Sequence, residues 1–262
     1  MEIATWNVNS IRTRLPQVLG WLAVNPHIDL LCVQETKVTD QDFPAEAFTQ
    51  HGYYTYAYGQ KSYNGVAMIS KQPLENVCGG FAQVLGDDLQ EIDQQKRLLS
   101  GRIEGIRVLN LYVPNGADLG SDKYVYKLQW LKYLAQYVQR VLAQEQAIVL
   151  CGDFNVALTD LDRASDRQEE SIMASIAERS ALQTILDLGF VDIFRQWHQD
   201  KGHYTWWDYR GGAFRRNLGW RIDYHFVSTA LVPKVKACTI DVTPRRNQQP
   251  SDHTPVILSI ED

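Results

Sequence analysis

The segment Ala147-Ile148-Val149-Leu150-Cys151-Gly152-Asp153-Phe154-Asn155-Val156-Ala157 (AIVLCGDFNVA) decides how the rest of the chain is read. Its apolar run ends at Gly152, and a carboxylate and an amide then follow two residues apart. A short continuous apolar run reads as a buried strand. A strand can end this way at a turn, or at a site built on the rim of a sheet. Upstream, Ser121-Asp122 opens the clearest helix, with Tyr124, Leu128, Leu131, Ala135, Val138 and Leu142 recurring at helical spacing. That helix delivers the chain to the strand. Downstream, Ser175-x-x-Glu178 is a capping-box pattern that predicts a second helix. Its stripe is Ile176, Leu182, Ile185 and Leu186, and Gly189 closes it.

The same reading extends to both ends of the chain. Ile3 to Val8 is a strand, and Ser10 with Leu15-Pro16 introduces a helix whose first turn tolerates the proline. Val18, Leu19, Leu22 and Ala23 form its apolar stripe. Asp29 to Gln34 is apolar enough to be covered on both faces. Tyr53 to Tyr58 pairs with Val66 to Ser70 across a loop holding Asn64-Gly65, and Leu98 to Glu104 with Ile106 to Val113 across Glu104-Gly105. Arg221 to Ser228 and Pro255 to Ile260 are the last strands. Tight strand pairs alternate with strand–helix–strand units, so the sheets are mixed. Two packed mixed β-sheets with helices outside accommodate the count, an α/β fold. No low-complexity stretch or linker interrupts it, which predicts one domain over residues 1–262.

The totals restrict the function classes. The 262 residues are 45% hydrophobic and 22% charged, ordinary for a globular chain with a sizeable core. No apolar run reaches the roughly 20 residues that span a bilayer, and MEIATWNVNS has no signal-peptide pattern. Cys32, Cys78, Cys151 and Cys238 lie far apart, without a metal-ligand spacing, and read as reduced thiols of an intracellular, cytoplasmic protein. A net charge of −5 argues against nucleic-acid binding by bulk charge alone. Arginines at 210, 215, 216 and 221 nevertheless fall in a stretch with no acid, either one basic face or a solvated loop.

The carboxylate and amide after AIVLC are not isolated. Asn7 and Asn9 end the first strand, Glu35 the second, and Tyr112 and Asn115 follow LNL. Asp223 lies in WRIDYHF, and Asp252-His253 precede the last strand. Each has an ordinary explanation alone: Asn115-Gly116 and Ser251-Asp252 as turns, His253 as a structural histidine, Asp223 as a partner of Arg221 or Arg216. Jointly they suggest one rim. Two carboxylates ~4 Å apart repel by about 4 kcal/mol at an effective dielectric of ~20, so Glu35, Asp153, Asp223 and Asp252 together require a cation, a charged histidine or a raised pKa. Oxygen donors with a single histidine suit Mg²⁺ or Mn²⁺. With His253, Tyr112 and two asparagines, the set suits hydrolysis of a phosphate ester.

WNVNSIR, QETK, YVPNG, GDFNVA, RIDY and SDHTPV occur in that order across residues 1 to 260. Together they resemble the exonuclease III family of apurinic/apyrimidinic (AP) endonucleases, within the endonuclease–exonuclease–phosphatase superfamily. The resemblance implies a DNase I-like four-layer sandwich with its site at one edge of the two sheets. It implies Glu35 as the main metal ligand, with Asn7 and Asp252 close by, and Mg²⁺ or Mn²⁺ as the ion. Asn9 stands where many relatives carry aspartate. Asp153 activates water or protonates the leaving 3′-oxygen, Asn155 positions the nucleophile or phosphate, and Tyr112 contacts the phosphate or leaving oxygen. His253 binds the phosphate, oriented by Asp223. Trp206, Trp220 and Ile222 correspond to a wall around an extruded abasic sugar, which excludes an intact nucleotide by size. Arg12, Arg14, Lys37, Tyr63 and Asn115 sit at the rim to hold DNA, and Arg210 is the side chain expected to enter the duplex. The implied function is cleavage of double-stranded DNA 5′ to an abasic site, leaving a 3′-OH, with 3′→5′ exonuclease and 3′-phosphatase action, by a monomer with no membrane partner. A catalytically silent nucleic-acid-binding regulator and a phosphatase of the same fold are the alternatives; a silent relative is expected to have lost part of the polar set, and all of it is present.

Overall fold

The computed structural model describes residues 1–164 and 170–261. Its strands are β1 (Glu2–Asn7), β2 (Leu30–Gln34), β3 (Tyr54–Tyr58), β4 (Val66–Ser70), β5 (Glu75–Gly79), β6 (Leu98–Ile103), β7 (Ile106–Tyr112), β8 (Ile148–Asp153), β9 (Phe190–Asp192), β10 (Asp223–Ser228), β11 (Val235–Ile240) and β12 (Val256–Ile260). Its α-helices are α1 (Ile11–Val24), α2 (Ala45–Thr49), α3 (Ala82–Leu85), α4 (Gln90–Asp93), α5 (Asp122–Leu142) and α6 (Ile176–Leu186). The strands form two sheets, β11-β12-β1-β2-β4-β3 and β5-β6-β7-β8-β10-β9. Each sheet is antiparallel except for one central parallel pair, β1 with β2 and β7 with β8. Those two pairs are the ones whose strands are joined by a long helix, α1 and α5, because a parallel connection needs a crossover.

Side-chain alternation builds the layers. On β2, Leu30 and Cys32 point into the core between the sheets, while Leu31 and Val33 pack under α1 with Trp6, Val18, Trp21 and Leu22. On β8, Val149 and Cys151 face the same inter-sheet core, while Ile148 and Leu150 pack under α5 and α6 with Trp130, Leu131, Leu134, Leu182 and Ile185. The result is helix, sheet, sheet, helix, a mixed-sheet sandwich of the DNase I-like kind the motifs implied. Toward the rim the inter-sheet core turns polar. Gln34 Nε2 donates to Thr5 Oγ1 (2.9 Å) and Asn110 Oδ1 (2.7 Å), and Asn110 Nδ2 donates to the carbonyls of Val33 and Ala67 on the opposite sheet.

Several expectations are corrected. Strands β5, β9 and β11 have no counterpart in the pattern reading. Ser10 caps α1 by accepting from Thr13 N, so Pro16 is the sixth helical residue and lies beyond the first turn. The buried face of α5 is Lys127, Trp130, Leu131, Leu134, Tyr137, Val138 and Val141; Tyr124, Leu128, Ala135 and Leu142 flank it. Ile176 is exposed at the start of α6, although the capping box Ser175–Glu178 forms as read. The four cysteines are free thiols, three of them buried.

Candidate active site

The strand parity that fills the inter-sheet core also supplies the site. Continuing it to the strand ends places Asn7 after Thr5, Tyr112 after Asn110, Asp153 after Cys151, and Asp223 ahead of His225 on the same inward face. Register aligns them further: Tyr112 pairs with Asp153 across the parallel β7–β8 ladder, and Asp223 pairs with Asp153 across β8–β10. Gly152 makes the approach possible. Its φ is +135°, and a Cβ there would lie 1.9 Å from the Leu111 carbonyl oxygen. The backbone turns left-handed immediately after β8, with Asn155 at φ +49°. That turn, rather than continued extension, brings Asn155 back: its N–H donates to Asp153 Oδ1 (2.9 Å) and its Nδ2 to Asp153 Oδ2 (3.2 Å) and the Val113 carbonyl.

Opposite this row, the ends of β1 and β2 and the approach to β12 contribute the rest. Asn7 Nδ2 bridges the sheets, donating to Glu35 Oε1 and Asp153 Oδ2, each at 2.9 Å. Glu35 and Lys37 take left-handed φ values of +52° and +58°. Non-glycine residues in that region cost roughly 1–3 kcal/mol each and persist where surrounding bonds fix them; here Ser10 N binds the Glu35 carbonyl and Thr36 N the Gly65 carbonyl. Lys37 Nζ lies 2.9 Å from Glu35 Oε2 and donates to Asn9 Oδ1, so it is committed to this cluster rather than reaching freely outward as a rim lysine. Asn9 Nδ2 in turn donates to Asp252 Oδ1 (3.0 Å), whose other oxygen accepts from Trp206 Nε1 (2.9 Å). Asp252 thus reaches Glu35 through Asn9 and Lys37. His253 Nδ1 bonds Asp223 Oδ2 at 2.9 Å, and its Nε2 lies 3.8 Å from Asp153 Oδ2. Arg221 is not the partner of Asp223: its guanidinium is held by Asp162 and Asp192.

The charge states follow from these contacts. Burial disfavours a charged His253, but Asp223, Asp153 and Asp252 outweigh it and raise its pKa to about 10. Burial also pushes the Asp153 carboxyl up, against the pull of the His253 charge. Glu35 ends below the ordinary carboxylate range, because Lys37 and Asn7 outweigh its burial. Tyr112 is held as the neutral phenol by burial and by nearby Glu35. Asp153, Asp223 and His253 have ligand atoms within 4.8 Å of one another. His253 Nδ1 and Asp223 Oδ2 are already hydrogen-bonded, so this trio reads better as a buried ion pair beside Asp153 than as a cation cage. The set around Glu35 offers carboxylate and amide oxygens and no thiolate, the donor chemistry of a hard divalent ion, which would have to displace the Lys37 ammonium from Glu35 Oε2.

Beside the polar set lies an apolar wall. Trp206, Trp220 and Ile222 pack with Ala157, Met173 and Ile172. Trp206 forms isolated β-bridges with both Trp220 and His253, which join the wall to the polar set through the backbone. Trp207, by contrast, is core. Asn115 Nδ2 donates to Asn155 Oδ1 (3.1 Å) at the same rim, and a cavity of about 480 Å³ opens there between Arg97, Tyr112, Asn115 and Tyr126. Arg12, in the first turn of α1, and Tyr63 and Arg210, on bends, are exposed, and among the described residues no side-chain hydrogen bond joins them to the central groups. Pattern reading placed Tyr209 beside Arg210 in the loop before RIDY without giving it a role; its hydroxyl meets Arg14, Asn9 and the Pro250 carbonyl. It missed Arg97, stacked 4.5 Å over the Tyr112 ring. It also missed Met173 and the buried Lys127, which reads in sequence as one more polar position on a helix.

With the geometry in place, three comparisons bear on the chain. The model of the Endonuclease/Exonuclease/phosphatase family matches residues 4–253. An exodeoxyribonuclease of Bacillus subtilis is 36% identical over 265 aligned residues, covering 99% of each chain. Among solved structures, a 3′ phosphatase (NExo) from Neisseria bound to a product DNA hairpin is similar at TM-score 0.95 and 40% identity, and an AP endonuclease from Archaeoglobus fulgidus at TM-score 0.93 and 40% identity; each covers 100% of both chains.

Proposed function

The chain belongs to the endonuclease/exonuclease/phosphatase family, among its exonuclease III-type nucleases, and from that premise we propose that it is a DNA-repair hydrolase that cuts duplex DNA 5′ to abasic sites and also trims 3′ ends. The observation that carries the reading is the row Tyr112, Asp153 and Asp223 at the end of one sheet, facing Asn7, Glu35 and His253 at the end of the other. In this reading His253, kept cationic by Asp223, receives the phosphate oxygen, and Tyr112 donates its phenolic proton toward the same group. Asp153 handles the proton: it takes one from the attacking water or returns one to the departing 3′-oxygen, while Asn7 and Asn155 fix its two oxygens. The new bond is water oxygen to phosphorus; the bond lost is phosphorus to O3′, which leaves a 3′-OH. Glu35 and Asn7, with Asp252 behind Asn9, would hold a Mg²⁺ ion, which supplies Lewis-acid charge at the phosphate.

The wall of Trp206, Trp220 and Ile222 supports abasic selectivity, because a flipped sugar without its base fits against a closed apolar surface. Arg12, Tyr63, Arg210, Arg215 and Arg216 are the proposed duplex contacts, consistent with their exposure. The enzyme is proposed to act as a monomer, with residues 1–262 as one domain. Among the described residues no helix is long and apolar enough to cross a membrane. The Neisseria 3′ phosphatase, as similar as the AP endonuclease, favours 3′-end processing as a second activity of the same site.

The test is a panel of three duplexes, bearing an abasic site, a 3′-phosphate at a nick, and a recessed 3′ end, with Mg²⁺ and then with EDTA. Incision 5′ to the abasic site that stops with EDTA is expected. Absence of metal-dependent turnover on all three would overturn the reading.

A further inference from the structure

Lys127 and Glu178 are both wholly buried, outside the set of groups that touch substrate. Lys127, on α5, has three ammonium protons and three acceptors: the Asn115 carbonyl (3.0 Å), the Asn155 carbonyl (2.7 Å) and Glu178 Oε1. Glu178, on α6, is equally committed. Its Oε1 also accepts from Met173 N (3.0 Å), and its Oε2 accepts from Ser175 N (3.0 Å) and Ser175 Oγ (2.7 Å). A buried ion pair is weak evidence for stability, since apolar residues of similar volume often do as well. What distinguishes this one is where its remaining bonds go. They reach the loops after β7 and β8 and the segment that carries Ile172 and Met173.

Those loops need restraint. Asn155 and Met173 both hold left-handed φ values, +49° and +67°. The Met173 carbonyl accepts from Ala157 N, and its sulfur faces Asn115 Nδ2 at 3.6 Å. Met173 also packs with Ile222, Trp206 and Trp220. One ammonium therefore fixes the peptide of Asn155 and, through one carboxylate, the backbone of the apolar wall.

We propose that Lys127 and Glu178 are a positioning pair that locks the Asn155 amide and the Ile172–Met173 wall in one register, and that this register sets the preference for an extruded abasic sugar over an ordinary 3′ nucleotide. The inference rests on the nuclease reading above.

The chain has three methionines, so methyl-¹³C methionine labelling yields signals for Met1, Met68 and Met173. Met68 lies in the inter-sheet core and serves as an internal control. In the double variant Lys127→Leu/Glu178→Gln, which removes both charges together, the Met173 signal is expected to shift while that of Met68 stays. At the abasic site kcat falls by about tenfold or more with KM nearly unchanged, and removal of an ordinary 3′ nucleotide falls less, so the ratio drops about tenfold. An unmoved Met173 signal, or equal losses on the two substrates, overturns the proposal. Should the double variant not fold, Glu178→Gln alone carries the same measurements. A wild-type protein that cuts neither DNA sinks the nuclease reading, and the Met173 signal still decides the coupling.

Discussion

At the scale of single residues, the site is an exercise in making charge tolerable. His253 is buried, and burial alone favours its neutral form. The Asp223 carboxylate, first among the carboxylates that reverse that, also fixes the ring, since its hydrogen bond with Nδ1 leaves Nε2 aimed at Asp153. Replacing Asp223 with asparagine keeps the shape and removes the charge. Turnover on abasic DNA is expected to fall by about 10²–10⁴-fold, while affinity for uncut duplex, measured by fluorescence anisotropy, changes little. A variant with near-normal kcat would leave His253 without the role given to it. This part of the site was legible in the sequence because strand parity and strand ends are properties of local pattern: Asp153, Asp223 and Tyr112 could be placed on a rim before any neighbour was known. Lys37 was not, because QETK shows a basic residue near an acidic one but not the two left-handed residues that fold its ammonium back onto Glu35.

At the scale of elements, two features decide whether the rim holds together. The β7–β8 ladder closes on Gly152, where any side chain meets the Leu111 carbonyl in a backbone conformation that favours glycine. Gly152→Ala is expected to cost about 3 kcal/mol or more, from strain and displaced backbone together, read as a lowered denaturation midpoint; a loss under about 1 kcal/mol, the usual size for a point substitution, would mean the strands part easily. The second feature is Arg221, which ties the Asp162 turn to β9 through Asp192 just ahead of β10. Arg221→Leu removes the guanidinium from half-buried Asp192 and leaves Asp162 with Arg195 as its remaining cation among the described residues, and a loss approaching roughly 3 kcal/mol is expected in chemical denaturation. Exposed-pair behaviour, near zero, would contradict the buried network. Sequence patterning found the long helices and central strands, since they carry whole apolar stripes. It missed β5, β9 and β11, which lie at or beside sheet edges and carry less pattern. It also misplaced the buried face of α5, because nothing local marks Lys127 as an interior residue whose partner is fifty-one positions away.

At the scale of the whole molecule, charge and sheet packing set the response to solution conditions. The net charge of −5 opposes DNA in bulk, and the proposed duplex contacts are therefore the exposed arginines of the 208–218 segment and its neighbours. Arg215→Ala/Arg216→Ala is expected to lower the slope of log Kd against log salt by roughly 1 for each phosphate that an arginine no longer neutralises; an unchanged slope would place the DNA elsewhere. The joint between the sheets carries its own sensor. His225, on β10, faces across the core, and its Nε2 donates to the Val256 carbonyl of β12 at 3.1 Å. Its Nδ1 has no hydrogen-bond partner among the described residues, which suits a neutral ring with that nitrogen bare. Burial lowers its pKa from 6.5 to about 4. The folded state therefore resists a proton that the unfolded chain accepts, and stability rises with pH wherever the unfolded state binds more protons. The contribution is complete above pH 6.5, declines as pH falls toward about 4, and is flat below that. Over that window the loss is about 3 kcal/mol, at 1.36 kcal/mol per pKa unit. His225→Gln retains a donor for Val256 without a titrating ring. Unfolding free energies measured in guanidinium at pH 7 and pH 5 should differ less in the variant than in the parent, by up to about 2 kcal/mol, because one protonation has been removed from the linkage. Equal differences in the two proteins would mean that the inter-sheet histidine does not titrate on unfolding, and the acid sensitivity of the sandwich would have to come from its other titrating groups, such as His198 and the carboxylates.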